Sequence, residues 1–317
     1  MKKIIFIISM PRAGSTLLQR TLATHPRIYS KISEPWLALR FFPAREGVQT
    51  VSDVGWRAME ASYAELVTDS CAAQQAYDQA VAGAMKGFYG QLMAHAGAQE
   101  ADHYLDKTPR YLLILKQLIR AFPDEKFILI QRNPLAIAAS AINTWSKRGE
   151  WNLFSMNVDF HAGFQEMGEV LAAKPPSVHV IKYEDFVSAP EEELGKIAKH
   201  LNIQAEFKLN ELGGVNGTYG DPTGVHRYGS KISDASLEAW VPVFAPYWRR
   251  RWAIRHLNAI GRERLAMMGY DYEKIMMNLC SVPVTYSRML EDPIRMAGGF
   301  LILKIKACCF SFIRRYE

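Results

Sequence analysis

The sequence predicts an α/β protein: a single domain on a central parallel sheet flanked by helices, with a helical insertion and a C-terminal helical extension. Three observations carry this reading. Four short apolar runs, Ile4–Ile8, His103–Leu105, Lys126–Gln131 and Val178–Lys182, read as strands. Long segments rich in Ala, Leu, Glu and Gln separate them, and strands alternating with helical stretches imply crossover units and a parallel sheet. The chain of 317 residues is 49% hydrophobic and 22% charged, enough to bury the core of one large domain or two small ones, and no internal repeat or low-complexity linker divides it.

Taken in order, Lys2 and Lys3 before Ile4 to Met10 imitate the front of a signal peptide, but the apolar run stops at Pro11-Arg12 without a small-residue cleavage pattern. A strand covered on both faces reads the same way, so a buried strand is expected. Thr16–Thr24 is the first expected helix, stopped by His25-Pro26. Val54–Gln99 is Ala-rich and is expected as the helical insertion. Tyr111–Phe122 places Leu112, Leu115, Ile119 and Phe122 at helical spacing. Asn133-Pro134 supplies a cap and first turn after the third run. Ala235–Met268 is largely helical in composition and basic from Arg249 to Arg264. The expected division is a domain over 1–280 and a basic, apolar extension over 281–317.

The formal net charge of +6 suits an anionic ligand but lacks the density of a nucleic-acid binder, so no nucleic-acid partner is expected. The four cysteines, Cys71, Cys280, Cys308 and Cys309, form no C-x-x-C pair and match no histidine pair. That argues against a disulfide scaffold and a zinc site, and for a reducing, cytoplasmic compartment; no metal is expected.

The strongest local signal is Ser9-Met10-Pro11-Arg12-Ala13-Gly14-Ser15-Thr16. A strand runs into a turn holding Gly14, and Ser15-Thr16 open a helix. Small residues let backbone N–H groups approach an anion, and the helix N-terminus favours negative charge. Arg12 adds a formal positive charge. The loop is P-loop-like, but it lacks the second glycine followed by Lys of a nucleoside-triphosphate loop. On its own it leaves open an ordinary strand–turn–helix with a capping Ser. The second signal is Arg132, at the end of the third run, with Ser140 eight residues later. An Arg and a hydroxyl at the carboxyl end of a strand suit a phosphate monoester. Arg132 alone is equally a surface ion-pair residue.

Together these blocks resemble the sulfotransferases that use 3′-phosphoadenosine 5′-phosphosulfate (PAPS) and release 3′-phosphoadenosine 5′-phosphate (PAP). Pro11 to Thr16 is similar to that family's 5′-phosphosulfate loop, and Arg132 with Ser140 to its 3′-phosphate site. Leu105-Asp106-Lys107-Thr108-Pro109, Phe122-Pro123-Asp124 and Tyr183-Glu184-Asp185-Phe186 extend the likeness, which covers roughly Lys2 to Tyr270. The nearest branch includes tyrosylprotein sulfotransferases and bacterial members acting on glycans. The resemblance implies PAPS as cofactor, held by Pro11, Arg12, Ala13, Gly14, Ser15, Thr16, Arg132 and Ser140; Tyr183, read as ending the fourth strand, lines the nucleotide pocket or is a core tyrosine with a satisfied hydroxyl. It implies Glu34, in Ser33-Glu34-Pro35-Trp36, as the base, Lys107 at the bridging oxygen, and Arg12 neutralising the phosphosulfate.

Two departures stand out. Thr144 occupies a position where the tyrosylprotein branch has Arg, and the late loop Gly220–Tyr228 is divergent. In that loop His226 and Arg227 reach a phosphate or the acceptor, or belong to a plain surface turn. The expected acceptor is a hydroxyl of a carbohydrate or lipid-linked glycan; a tyrosine peptide is the alternative, and a P-loop small-molecule kinase a more distant one.

The tail Ser281–Glu317 holds six basic residues, Arg288, Arg295, Lys304, Lys306, Arg314 and Arg315, against Glu291, Asp292 and Glu317. Its apolar runs fall short of the ~20 residues that span a bilayer. Two readings stay open: peripheral contact with the inner face of an anionic membrane, or a last helix packed on the domain or on a second subunit of a homodimer.

Overall fold

The computed structural model describes residues 2–31, 33–42, 65, 67, 70–146, 148–209, 237–299 and 301. Five parallel strands form one sheet in the order β2-β3-β1-β4-β5. They are β1 (Lys3–Ser9), β2 (Ile28–Tyr29), β3 (His103–Lys107), β4 (Lys126–Gln131) and β5 (Val178–Lys182). The expected α/β parallel sheet is therefore present, and the two-residue edge strand β2 adds a fifth member too short to register as an apolar run.

β1 lies at the centre. Ile4, Ile5, Phe6, Ile7 and Ile8 are each at most 1% exposed, because β3 pairs on one side, β4 on the other, and helices cover the faces. The register aligns Ile7 with Lys107 and Ser9 with Ile130. Since all strands run the same way, the ends of β1, β3 and β4 open on one edge, where crevices of open α/β sheets bind ligands.

Helices occupy the crossovers. They are α1 (Ser15–Leu22), α2 (Cys71–His95), α3 (Leu115–Ala121), α4 (Pro134–Thr144), α5 (Phe164–Ala173), α6 (Tyr183–Ser188) and α7 (Pro190–Leu201). α2 lies within the expected insertion and begins at Ser70, whose hydroxyl accepts from Ala73 N at 3.4 Å. α4 starts as the sequence indicates: Pro134 stands in its first turn, and Asn133 Oδ1 accepts from Leu135 N at 2.9 Å.

Three expectations need correction. The segment expected as one helix over Tyr111–Phe122 is a 3-10 helix at Pro109–Ile114 followed by α3. Tyr111, Leu112, Leu113 and Ile114 are all buried, which one stripe of an amphipathic α-helix cannot achieve. The first helix is Ser15–Leu22 and ends before Thr24. Tyr183 opens α6 and does not end the strand before it, which stops at Lys182.

Beyond the sheet lie α8 (Tyr247–Ile260), α9 (Arg262–Met267) and α10 (Tyr272–Cys280). The described start of the tail is tied to α8. Asp292, fully buried, accepts from Arg249 Nε at 2.7 Å and from its NH2 at 2.9 Å. Arg250 NH2 donates to Val282 O at 2.8 Å. Residues 291–299 are helical. His226, Arg227, Lys304, Lys306, Arg314 and Arg315, and the loop Gly220–Tyr228, lie outside the described residues. No helix among the described residues is long and apolar enough to cross a membrane.

Candidate active site

The loop after β1 is shaped by two left-handed residues, Arg12 at φ 71 and Gly14 at φ 104. Ala13 between them is fully buried, and its N–H donates to Met10 O at 3.2 Å. Gly14 is required twice over. Its φ is one that side chains rarely adopt, and a Cβ there would sit 2.6 Å from Cε2 of Tyr183. No side chain caps α1, whose N-cap is Gly14, so the N–H groups of its first turn face the cavity mouth without a side-chain acceptor.

Arg12 reaches across the edge to α4. Its Nε donates to Ser140 Oγ at 3.4 Å and its NH2 to Thr144 Oγ1 at 3.0 Å. Thr144, noted above as a departure, thus holds Arg12. Arg132 NH1 donates to the Arg12 carbonyl at 3.0 Å, and its guanidinium lies 4.1 Å from the centroid of the Tyr183 ring. Arg132 is 8% exposed, and its Nε is buried without a hydrogen-bond partner. Glu184 braces this side: it accepts from Asn133 N at 2.9 Å and from the Tyr270 hydroxyl at 2.7 Å.

On the other side of β1, Lys107 Nζ lies 2.8 Å from Glu34 Oε1. Lys107 is nearly buried and Glu34 is about one-fifth exposed. The neighbour Asp106 is fully buried, and burial pushes its carboxyl up to about 6. The Tyr89 hydroxyl donates to it at 2.6 Å and the Thr108 hydroxyl at 3.0 Å. That cluster anchors the end of β3 from which Lys107 projects.

A cavity of about 350 Å³ joins the two sides. Of the site residues expected from the sequence, Pro11, Arg12, Gly14, Ser15, Thr16 and Glu34 line it, whereas Ala13, Lys107, Arg132, Ser140 and Tyr183 stand behind that lining. Trp36, Pro109, Arg110, Trp145 and Ser155 line it too, and the sequence did not single them out. Arg110 follows β3 closely, a positional clue. Its brace carried none: Asp159, 2% exposed, accepts from Arg110 Nε at 3.1 Å and NH2 at 2.9 Å from 49 residues away. Trp36 has φ 55, a costly backbone state for a bulky residue, and lies 5.9 Å beneath the Arg110 guanidinium.

The donor set fits a nucleotide with two separated anionic groups. The uncapped helix start with Arg12, Ser15 and Thr16 suits one, and the half-satisfied Arg132 with Ser140 suits the other. Among the described residues no group of three His, Cys, Asp or Glu side chains is placed to hold a metal.

A family model described as the sulfotransferase family matches residues 5–207. Nodulation protein NoeE of Sinorhizobium fredii is 29% identical over 219 residues, which is 62% of this chain and 49% of that protein. The chain therefore spans about half the length of that relative. A putative protein-tyrosine sulfotransferase of Caenorhabditis briggsae is 25% identical over 277 residues, covering 85% of this chain and 90% of the other. Among solved structures, the sulfotransferase domain from the curacin biosynthetic pathway superposes with a TM-score of 0.55 at 22% identity, over 86% of this chain and 99% of that one, and shares the fold.

Proposed function

The chain belongs to the sulfotransferase family, and from that premise we propose that it transfers a sulfuryl group from PAPS to a hydroxyl of a carbohydrate or lipid-linked glycan. The observation that supports this best is the meeting, in one cavity, of Arg12, Gly14, Ser15 and Thr16 with Glu34, whose carboxylate lies 2.8 Å from the Lys107 ammonium. Bound there, the donor supplies an activated sulfuryl group on a phosphate leaving group. Arg12, Ser15, Thr16 and the α1 N-terminus hold its 5′ end; Arg132 and Ser140 hold the 3′-phosphate, with Tyr183 beneath.

The chain's own residues then divide the work. Glu34 takes the acceptor hydroxyl's proton as the new S–O bond forms. Lys107, held beside Glu34, turns its ammonium to the bridging oxygen as the old S–O bond breaks, and Arg12 neutralises the phosphate charge. Trp36 and Trp145 offer flat apolar walls on the acceptor side, which suit the carbon face of a sugar ring.

Thermal shift with PAP against ATP-Mg tests the cofactor. At about 100 times its dissociation constant, PAP should stabilise the fold by about 2.7 kcal/mol. Arg132→Ala should weaken PAP more than an analogue lacking the 3′-phosphate; equal losses would overturn the assignment. Labelled PAPS against glycans, lipid-linked sugars and tyrosine peptides decides the acceptor.

The reading extends to the tail, which we propose contacts an anionic membrane face. Leu290, Ile294 and Leu301 stand 80%, 70% and 57% exposed at i, i+4 and i+11 spacing, with Arg288 and Arg295 beside them. Apolar side chains bordered by cations match the headgroup layer of such a membrane.

A further inference from the structure

A second cavity, of about 430 Å³, lies between α8, the 3-10 helix Leu153–Met156 and the helical residues 291–299. Its charged lining is one-signed: Arg251, Arg255 and Arg295 face it and no carboxylate among the described residues does. The sequence Tyr247-Trp248-Arg249-Arg250-Arg251-Trp252 explains how this arises. Arg249 and Arg250 turn inward and are consumed, one by Asp292 and the other by the carbonyls of Phe244 and Val282. Arg295 is countered by Glu150 and Glu291 at 3.4 and 3.2 Å. Arg251 meets the hydroxyl and the ring of Tyr247, and neither it nor Arg255 makes an ion pair among the described residues. Two like charges at i, i+4 on one helix repel by a few tenths of a kcal/mol, which an anion between them would reverse.

The rest of the lining is aromatic. Trp248 and Trp252 share a helix face by i,i+4 spacing, and Trp151 and Phe160 pack edge-on to Trp252 at centroid distances of 5.0 and 5.6 Å. Two polar atoms in this wall lack partners. Among the described residues neither Trp248 Nε1 nor Nε2 of His256, both shut off from water, meets a hydrogen-bond partner. Guanidiniums that no carboxylate among the described residues counters and a broad apolar wall are the features of a small-molecule site: mostly apolar, with a few convergent polar groups.

We propose that this cavity binds an anionic amphiphile, a phosphate-type headgroup on an apolar chain, with Arg251 and Arg255 taking the headgroup and the tryptophan faces the chain. This site is separate from the nucleotide-binding reading and stands whether or not that reading holds. Titration of full-length protein with dodecyl phosphate below its micelle concentration, followed by tryptophan fluorescence and calorimetry, tests it. Saturable one-to-one binding is expected, at least tenfold tighter than inorganic phosphate or the uncharged dodecyl maltoside. Arg251→Ala/Arg255→Ala, and Arg255→Glu alone, should each weaken it at least tenfold while leaving the melting curve and the PAP response unchanged. Sedimentation with phosphatidylglycerol vesicles separates the sources: Arg-dependent vesicle binding marks a bilayer lipid, and binding of the monomeric amphiphile alone marks a soluble one. No saturable binding, equal affinity for the maltoside, or equal affinity in both variants would overturn the proposal.

Discussion

Replacing Gly14 by Ala should cost both fold stability and nucleotide affinity, through one chain of contacts. The backbone at Gly14 has φ 104 and ψ 9, so a side chain there carries roughly 1–3 kcal/mol of conformational strain. The added Cβ would also stand 2.6 Å from Cε2 of Tyr183. Tyr183 is 4% exposed and packed in the core, so moving its ring costs a further ~1–3 kcal/mol of overpacking. The total expected destabilisation is about 2–6 kcal/mol. The same ring lies under the Arg132 guanidinium, which in turn holds the Arg12 carbonyl. Its displacement should loosen both anion-binding sides and weaken PAP at least tenfold, or about 1.4 kcal/mol. Urea unfolding and calorimetric PAP titration measure the two losses. Gly83→Ala is the control: it lies in the interior of α2, where an added Cβ meets nothing within 4 Å, and should be neutral or stabilising. A Gly14→Ala protein within about 1 kcal/mol of the parent and with unchanged PAP affinity would refute the reasoning.

Three other outcomes follow from the same structure. Glu34→Gln should lower turnover by about 10²-fold or more while leaving PAP affinity nearly unchanged, and Lys107→Ala should also lower turnover; near-normal rates in Glu34→Gln would move the base elsewhere, with His226 the first suspect. Burial, with a smaller push from His161, lowers His256 from 6.5 to about 3, so its contribution to stability is present above pH 6.5 and is lost as pH falls toward 3. From pH 7 to pH 5 this group alone should remove about 2 kcal/mol, so the stability difference between His256→Leu and the parent should shift by that amount in the variant's favour; a pH-independent difference in urea titrations contradicts it. Flotation with anionic liposomes should retain the full chain and release it in high salt, whereas a chain ending near Asp292 should not float; identical behaviour of the two would mean that the tail serves packing instead.

Much of the architecture was legible in the linear pattern, for a local reason. A strand buried on both faces must be apolar throughout, and Ile4–Ile8 has no other comfortable place in water. Asn133-Pro134 caps α4 through the residues themselves, and Gly14 announces a turn. These signals depend on neighbours within a few positions, so the parallel sheet, the loop after β1 and the strand-end positions of Lys107 and Arg132 could be read before any tertiary contact was known.

What only the tertiary structure decided is which side chains meet. Arg12 finds Ser140 and Thr144 across 128 and 132 residues because β4 pairs directly with β1, bringing α4 over the loop. Glu34 and Lys107, 73 residues apart, meet because β2 and β3 are neighbours in the order β2-β3-β1-β4-β5. That order arises from how crossovers pack on the sheet, and no local periodicity encodes it. The buried Asp159 behind Arg110 and the arginine pair facing the second cavity were invisible for the same reason. A charged residue reads as surface in a sequence, and only packing reveals the desolvated partner, or the lack of one, that gives it a role.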